Sequence, residues 1–166
     1  MNDGLVLYSN AGKTTKKGAE VEFNGKISDQ LNFEYAASIG NYKFESFKFN
    51  ENDFSNNLIP GIPKSQHNIK IKYKNESNFN LVVGLKRVGK MFADNANKTE
   101  IDGYSSINVK MSKNLNLFET SITPFISIDN LFNKEYFDNI RINAFGSRFY
   151  EPAPGINFIG GLKLNL

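Results

Sequence analysis

Cysteine and tryptophan are absent from the 166 residues, and histidine occurs once, at position 67. The first absence excludes disulfides and thiolate metal sites. The single histidine confines any Ser-His-Asp triad or imidazole metal site to the surroundings of His67, and no nucleophile elbow or paired motif accompanies it. Long apolar runs are missing too. Stretches such as Leu81 to Val83 are a few residues long, whereas a helical membrane span needs about 20. There is also no basic block of the kind that tracks a phosphate backbone: 20 basic and 17 acidic residues are spread along the chain, for a net charge of +3. Nucleic acid is not an expected partner. Residues 1–17 lack a basic segment followed by an apolar one, so the sequence as it stands carries no secretion signal.

What the chain does have is alternation, which the mean hydropathy of −0.42 conceals because oily and wet faces cancel. Over residues 18–27, Ala19, Val21, Phe23 and Ile27 fall on one face of a strand, and Glu20, Glu22, Asn24 and Lys26 on the other. After Ser28-Asp29-Gln30 the pattern resumes with Leu31, Phe33, Tyr35, Ala37 and Ile39, which predicts a hairpin. Residues 41–63 lose the alternation and carry Pro60-Gly61 and Pro63, so a long connection is expected there.

Further strands are predicted around Ile69, Ile71 and Tyr73, then Phe79 to Leu85, then Ile107 to Met111. A tight turn at Lys74-Asn75-Glu76 and a polar loop over about 89–102 separate them. A short connection at 113–119 leads to a strand over 120–130 with Ile122, Ile126 and Ile128 on one face. Pro124 cannot donate to a ladder, so a bulge or an edge is expected at that point. A long polar loop precedes the last alternating segment, which carries Phe158, Gly160, Leu162, Leu164 and Leu166. With a partial strand near Leu5 to Tyr8, the count is about eight.

The connections alternate short and long without exception. Transmembrane barrels sort them in this way, with short turns on the periplasmic side and long loops outside, whereas a soluble all-β sandwich, the competing reading, has no reason to do so. Phe 15 and Tyr 7 also suit aromatic girdles at membrane interfaces. The fold class is therefore all-β, an antiparallel transmembrane β-barrel segment.

The stretch Ser127-Ile128-Asp129-Asn130-Leu131-Phe132-Asn133-Lys134-Glu135-Tyr136 resembles a signature of TonB-dependent receptors. Asn10-Ala11-Gly12-Lys13 with Gly18-Ala19-Glu20, Ile62-Pro63-Lys64, Gly103-Tyr104, and Tyr150-Glu151-Pro152 through Gly155 resemble further family segments in the expected order. Two positions depart from the pattern: Ile156 stands where the family has an arginine, and Leu166 where a terminal aromatic is usual.

The resemblance implies a barrel of about 22 strands with a plugged lumen. Residues 1–166 would form its C-terminal part, with the plug domain and signal peptide not included. It also implies a place in the outer membrane of a Gram-negative bacterium and uptake of a nutrient, with ferric siderophore the leading ligand, and no enzymatic step. The implied partners are outer-membrane lipid, the plug and remaining barrel strands, a TonB-type energy-coupling complex reached through the missing N-terminus, and a small-molecule chelate. No cofactor is implied; iron would be carried only inside the chelate.

For such a receptor the loops at about 41–63, 89–102 and 132–154 would meet ligand. Arg87, Lys90, Arg141, Arg148 and Tyr150 are the candidates, because cationic and aromatic groups can hold an anionic chelate. Equally, exposed loop charges can simply solvate. Asp129 and Asn130 fit better as caps at the end of a strand, fixing the turn into Leu131 to Tyr136. Glu20, Glu22, Lys26, Glu34, Lys70, Lys72 and Lys86 are expected to line a lumen, and His67 an interface with lipid. Two other functions stay open: a self-standing eight-stranded barrel with a structural or adhesive role, and an outer-membrane hydrolase built on His67.

Overall fold

The computed structural model describes residues 12–118, 120–148 and 150–165. The segment Leu5 to Tyr8, Asn10, Ala11 and Leu166 lie outside them. Strands β1 (Lys13–Lys26) and β2 (Leu31–Ser46) form a hairpin, and the connection that follows carries β3 (Lys48–Phe49) and β4 (Asn52–Asp53). After β5 (Ser65–Lys74) and β6 (Phe79–Val88), a second connection carries β7 (Met91–Phe92) and β8 (Glu100–Ile101). Next come β9 (Tyr104–Lys113), β10 (Leu115–Leu117) and β11 (Thr120–Asp129). A third connection holds β12 (Phe137–Ile140), a 3-10 turn (Phe145–Ser147) and β13 (Tyr150–Pro152), and β14 (Asn157–Asn165) ends the described chain.

The long strands pair antiparallel with their sequence neighbours in the order β1, β2, β5, β6, β9, β11, β14, with β10 pairing β11 beyond the end of β9. All three long connections therefore leave one end of the sheet and all short turns the other. Among the described residues no pairing joins β1 to β14.

Register turns seven alternating segments into two continuous faces. Phe23 lies opposite Tyr35, which lies opposite Ile69, then Leu85, then Ile107. Val109 continues to Ile128 and Phe158. On the reverse face Asn24, Glu34, Lys70, Gly84 and Asn108 run across the same strands. A one-residue slip at any ladder would put glutamate and lysine among the isoleucines, so the pattern fixes the register. The apolar face stays uncovered: Val21, Phe23, Ile39, Ile71, Ile126, Phe158 and Leu162 are all exposed. A soluble protein would have to bury such a face.

The upper limit of the apolar band descends across the sheet. It ends at Ala19 and Ile39 on β1 and β2, but at Ile69, Leu85 and Ile107 on the next three strands. Ile69 is opposite Tyr35, four positions below Ile39 on β2. Such a slant is what strands tilted by about 35–45° to a membrane normal require.

Three expectations need amendment. Strand β2 does not stop near residue 40; it continues to Ser46, with Asn41 opposite Lys17 and Lys43 opposite Thr15. Alternating hydrophobicity marks only the part of a strand that meets lipid, while the ladder runs on through polar residues. For the same reason the long connections conceal three small hairpins, β3–β4, β7–β8 and β12–β13. The short connection at 113–119 likewise contains β10. At Pro124 there is no bulge, but the ladder is broken on one side: β14 pairs through it, whereas toward β9 and β10 the register is continuous and Thr123 and Pro124 form no pairs. Across from this gap Asn114 turns its backbone N–H to the carbonyl of Asn78 at 3.1 Å.

The buried apolar side chains lie at the long-loop end: Phe44, Phe47, Val88, Ala93, Ile101 and Tyr104. The loops are tied to one another by hydrogen bonds. Asn97 brackets Leu58, its Oδ1 accepting from Leu58 N at 2.7 Å and its Nδ2 donating to Leu58 O at 2.8 Å. Gly61 N donates to Phe92 O at 2.8 Å, and Asn143 N to Ala93 O at 2.9 Å. Apart from Phe118, every non-glycine residue with positive φ among those described is an asparagine, the side chain that best tolerates the left-handed region. Gly12 has φ 65°, and a Cβ there would sit 2.0 Å from the Ser46 carbonyl, which accounts for the glycine in Asn10-Ala11-Gly12-Lys13.

Both outer edges of this sheet and its apolar face are costly in water. The isolated chain is expected to remain monomeric only in detergent or lipid, as read by sedimentation velocity. A detergent-free, soluble monomer would contradict the reading of the apolar face.

Candidate functional site

The polar face is a charged wall. Glu34 on β2 accepts from Lys72 and lies 3.5 Å from Lys70, both on β5, so cross-strand neighbours neutralise one another. Glu20, Glu22, Lys26 and Lys86 share this face through the registers Glu20 to Ser38, Glu22 to Ala36, Lys26 to Asn32 and Asn68 to Lys86.

At the long-loop end the wall meets aromatic rings. Tyr104 opens β9 opposite Val88, and the Tyr136 ring stacks on it with centroids 3.9 Å apart and planes inclined by 16°. The Lys86 ammonium lies 5.8 Å from the Tyr104 centroid. Beside this stack Phe137 and Tyr150 pair at 4.4 Å. Together they line a cleft of about 830 Å³, a size suited to a small-molecule ligand. Burial pushes the Tyr136 phenol above its usual range. The charged lining is mostly acidic: Glu100, Asp102 and Glu135 against Lys134.

The Asp129 to Tyr136 segment holds this cleft together. Asn130 is 4% exposed with φ 52°. Its Oδ1 accepts from Lys134 N at 2.8 Å, and its Nδ2 donates to the carbonyls of Lys134 at 3.0 Å and Pro154 at 3.2 Å. Its backbone N–H donates to Asn108 Oδ1 at 2.9 Å, and Leu131 N to Ile107 O at 2.8 Å. Asn133 Oδ1 accepts from Ile156 N at 2.9 Å. One asparagine thus clasps both ends of the 130–156 loop to strand β9, and the loop is anchored through backbone groups where the family arginine is replaced by Ile156. Asp129 takes part through its backbone, opposite Asn157. Phe132 is exposed. Glu151 and Pro152 belong to β13, where Pro152 faces Phe137.

The five ligand candidates do not converge. Tyr150 lines the cleft. Lys90 is held by Glu100 at 2.7 Å and Asp102 at 3.5 Å. Arg141 gives both Nε and Nη2 to Glu151 Oε1, at 2.6 and 2.5 Å. Arg148 is exposed at the end of the 3-10 turn. Arg87 lies on the other face, above Leu85 and opposite His67, with Nη1 3.3 Å from Ser105 Oγ. His67 shares that outward face, its Nδ1 3.0 Å from the Tyr35 hydroxyl and its flanks Ala37 and Arg87. Cleft residues that sequence reading passed over as site residues include Tyr104, Phe137, Glu100, Asp102, Lys134 and Glu135. Gly103-Tyr104 was visible as a family-like segment, but no sequence signal joins it to Tyr136.

A sheet with one lipid-ready face, one charged face and all long loops at one end is a wall segment of a transmembrane β-barrel. The chain belongs to the TonB-dependent receptor family: the family model for the TonB dependent receptor-like β-barrel matches residues 1–131. The ferrioxamine receptor of Yersinia enterocolitica is 24% identical over 138 residues, 79% of this chain and 18% of that protein. The siderophore receptor PiuA from Acinetobacter baumannii superposes with a TM-score of 0.76 at 20% identity, over 93% of this chain and 22% of its own. The ferric citrate transporter FecA does so with 0.79 at 18% identity, over 93% and 25%. The chain thus spans about a fifth of the length of that ferrioxamine receptor. These relatives are named as receptors and a transporter.

Two outcomes test the clasp and the hairpin. Asn130→Ala leaves buried partners unsatisfied at a left-handed position and is expected to cost about 2–4 kcal/mol, seen as faster proteolysis within 133–156, while Asp129→Ala stays within about 0.5 kcal/mol. Equal sensitivity of the two variants would remove Asn130 from the clasp. The hydrogen bonds from Asn139 and Arg141 hold the Glu151 carboxyl below the ordinary 4.5. A depressed carboxylate stabilises the β12–β13 hairpin fully above the ordinary value, and that contribution is lost as pH falls through the lower folded value. NMR titration should place the Glu151 midpoint below 4.5, and Arg141→Gln should move it upward.

Proposed function

We propose that the chain forms part of the wall and outer vestibule of an outer-membrane receptor that takes up a chelated nutrient, a ferric siderophore above all. The observation that carries this reading is the aromatic cleft of Tyr104, Tyr136, Phe137 and Tyr150, set on the charged face beneath the tied loops. Its similarity to a ferrioxamine receptor and to siderophore receptors supports it. Further barrel strands would pair with the free edges of β1 and β14, a plug would face the Glu34 wall, and a TonB-type complex would supply energy from the inner membrane. Ligand transfer in this scheme is binding and release without covalent chemistry, and iron travels as part of the chelate.

The charges of the cleft refine the ligand. Glu100 and Asp102 are themselves the partners of Lys90, Glu135 is matched by Lys134 in the lining, and Arg141 is held by Glu151, so the cleft carries little net charge. A chelate of little net charge fits this lining better than the anionic one for which the five candidate residues were chosen, with the rings of Tyr136 and Tyr150 as its contact surface.

Uptake of radiolabelled ferric chelates of graded charge by iron-starved cells tests both points. Tyr136→Ala and Tyr150→Ala are each expected to weaken binding by about three- to tenfold, and joint Glu100→Gln and Asp102→Asn replacement to shift preference toward anionic chelates. Unchanged uptake in both tyrosine variants would refute the cleft as the binding site.

A further inference from the structure

A second, smaller chamber of about 240 Å³ lies beside the aromatic cleft. Tyr104 and Phe137 line both, so these two rings form the partition between them. The floor comes from the polar face of the sheet, where Gln66 is opposite Val88 and Val88 opposite Tyr104, with Lys86 the next residue of that face on β6. Each long connection adds to the walls: Gly61 and Pro63 from the first, Met91 from the second, Ile140 and Ile142 from the third.

Two charges of opposite sign line this chamber, and neither is neutralised. Asp138 stands between the pairs Phe137–Pro152 and Asn139–Glu151 as the unpaired residue of an irregular ladder, a place where the backbone re-aims a side chain. Among the described residues no ion pair includes Asp138 or Lys86, and they are too far apart to pair with each other. The remaining lining is neutral. Lys90, Arg141 and Glu34, by contrast, all have partners nearby. A lone anion in the chamber would gain from Lys86 and be repelled by Asp138, and a lone cation the reverse; a group that carries both signs satisfies the two together. The volume is below the roughly 300–1,000 Å³ of a whole-ligand site and suits a single arm of a larger molecule. Val88, Met91, Ile140 and Ile142 would cover the hydrocarbon part of such an arm.

We propose that the chamber takes a zwitterionic end group of the chelate, an ammonium and a carboxylate on one short carbon skeleton as in a free α-amino acid. Lys86 binds the carboxylate and Asp138 the ammonium, while the iron centre stays in the aromatic cleft. The proposal rests on chelate uptake as the function and adds to it the ligand's end group and two specificity-determining residues. Its test uses the full-length protein in detergent and four synthetic ferric trihydroxamates, whose iron centres are neutral and whose single pendant arm ends in an α-amino acid, a carboxylate, an ammonium or a methyl group. Equilibrium dialysis with radioactive iron reads each dissociation constant. The α-amino acid arm is expected to bind about tenfold tighter than the methyl arm, and tighter than either singly charged arm. Lys86→Gln and Asp138→Asn are each expected to cut that preference to about threefold or less. Lys110→Gln removes another lysine of the same wall, one that lies against the Phe125 ring, and should leave the preference unchanged. Equal binding of all four chelates, a singly charged arm that matches the zwitterion, or an unchanged preference in both chamber variants would overturn the end-group proposal and leave chelate uptake standing. Failure of all four to bind would overturn the cleft as a site for neutral chelates, and the end-group proposal with it. If Lys86→Gln does not fold, Asp138→Asn in the loop hairpin decides alone, an unchanged preference contradicting.

Discussion

Inside hydrocarbon there is no water to bond a free N–H or C=O, so a strand that crosses a membrane must satisfy its backbone on its neighbours. Most features of this chain follow from that constraint. Each long strand bonds the next in sequence, the connections stay short where nothing is needed of them, and side chains divide between two faces because the ladder leaves them no other freedom. The register from Phe23 through Tyr35, Ile69, Leu85 and Ile107 keeps the oily positions together across five strands. Buried apolar packing contributes little within the sheet, since both of its faces meet something other than protein in the isolated segment. The interior resembling that of a soluble protein lies under the loops, around Phe44, Val88, Ala93, Ile101 and Tyr104.

The loops need a different chemistry from the strands. Above the membrane the chain must turn, cross and return without regular ladders, and asparagine meets that need in two ways: it adopts positive φ, and its amide supplies both a donor and an acceptor. Asn97 on Leu58 and Asn130 on Lys134 each replace a backbone pair with a side-chain pair. Asn130 links this architecture to function, because the loop it fastens delivers Tyr136 to Tyr104 and Phe137 to Tyr150. The cleft therefore depends on a residue that lines none of it.

How much of this was legible in the sequence follows from the same physics. Strands were visible where one face meets lipid, because there the period of two is enforced by solvent; hence Ala19 to Lys26, Leu31 to Ile39 and Phe158 to Leu164 were read correctly, while Ile27 falls in the turn. The upper part of β2, from Asn41 to Ser46, was not, since both its faces are polar and hydropathy does not alternate. The lumen-facing residues Glu34, Lys70 and Lys72 were placed on their correct face by parity alone. Loop charges were the poorest guide. Arg87 looked like a loop residue but follows the parity of Leu85 onto the outward face, and Lys90 and Arg141 found carboxylates that are distant in sequence. Partners separated by ten residues on a folded-back hairpin leave no periodic trace, and neither does the stack of Tyr104 on Tyr136.

The central claim is that the Ile69 face meets lipid and the Lys70 face meets water, and it can be measured one residue at a time. Nitroxide labels placed singly from 68 to 73 on β5 in a lipid bilayer would report collision rates with oxygen, which concentrates in lipid, and with a polar nickel chelate, which stays in water. The account predicts a strict period of two, with 69, 71 and 73 favouring oxygen and 68, 70 and 72 favouring the chelate. A flat profile, or the opposite phase, would contradict it.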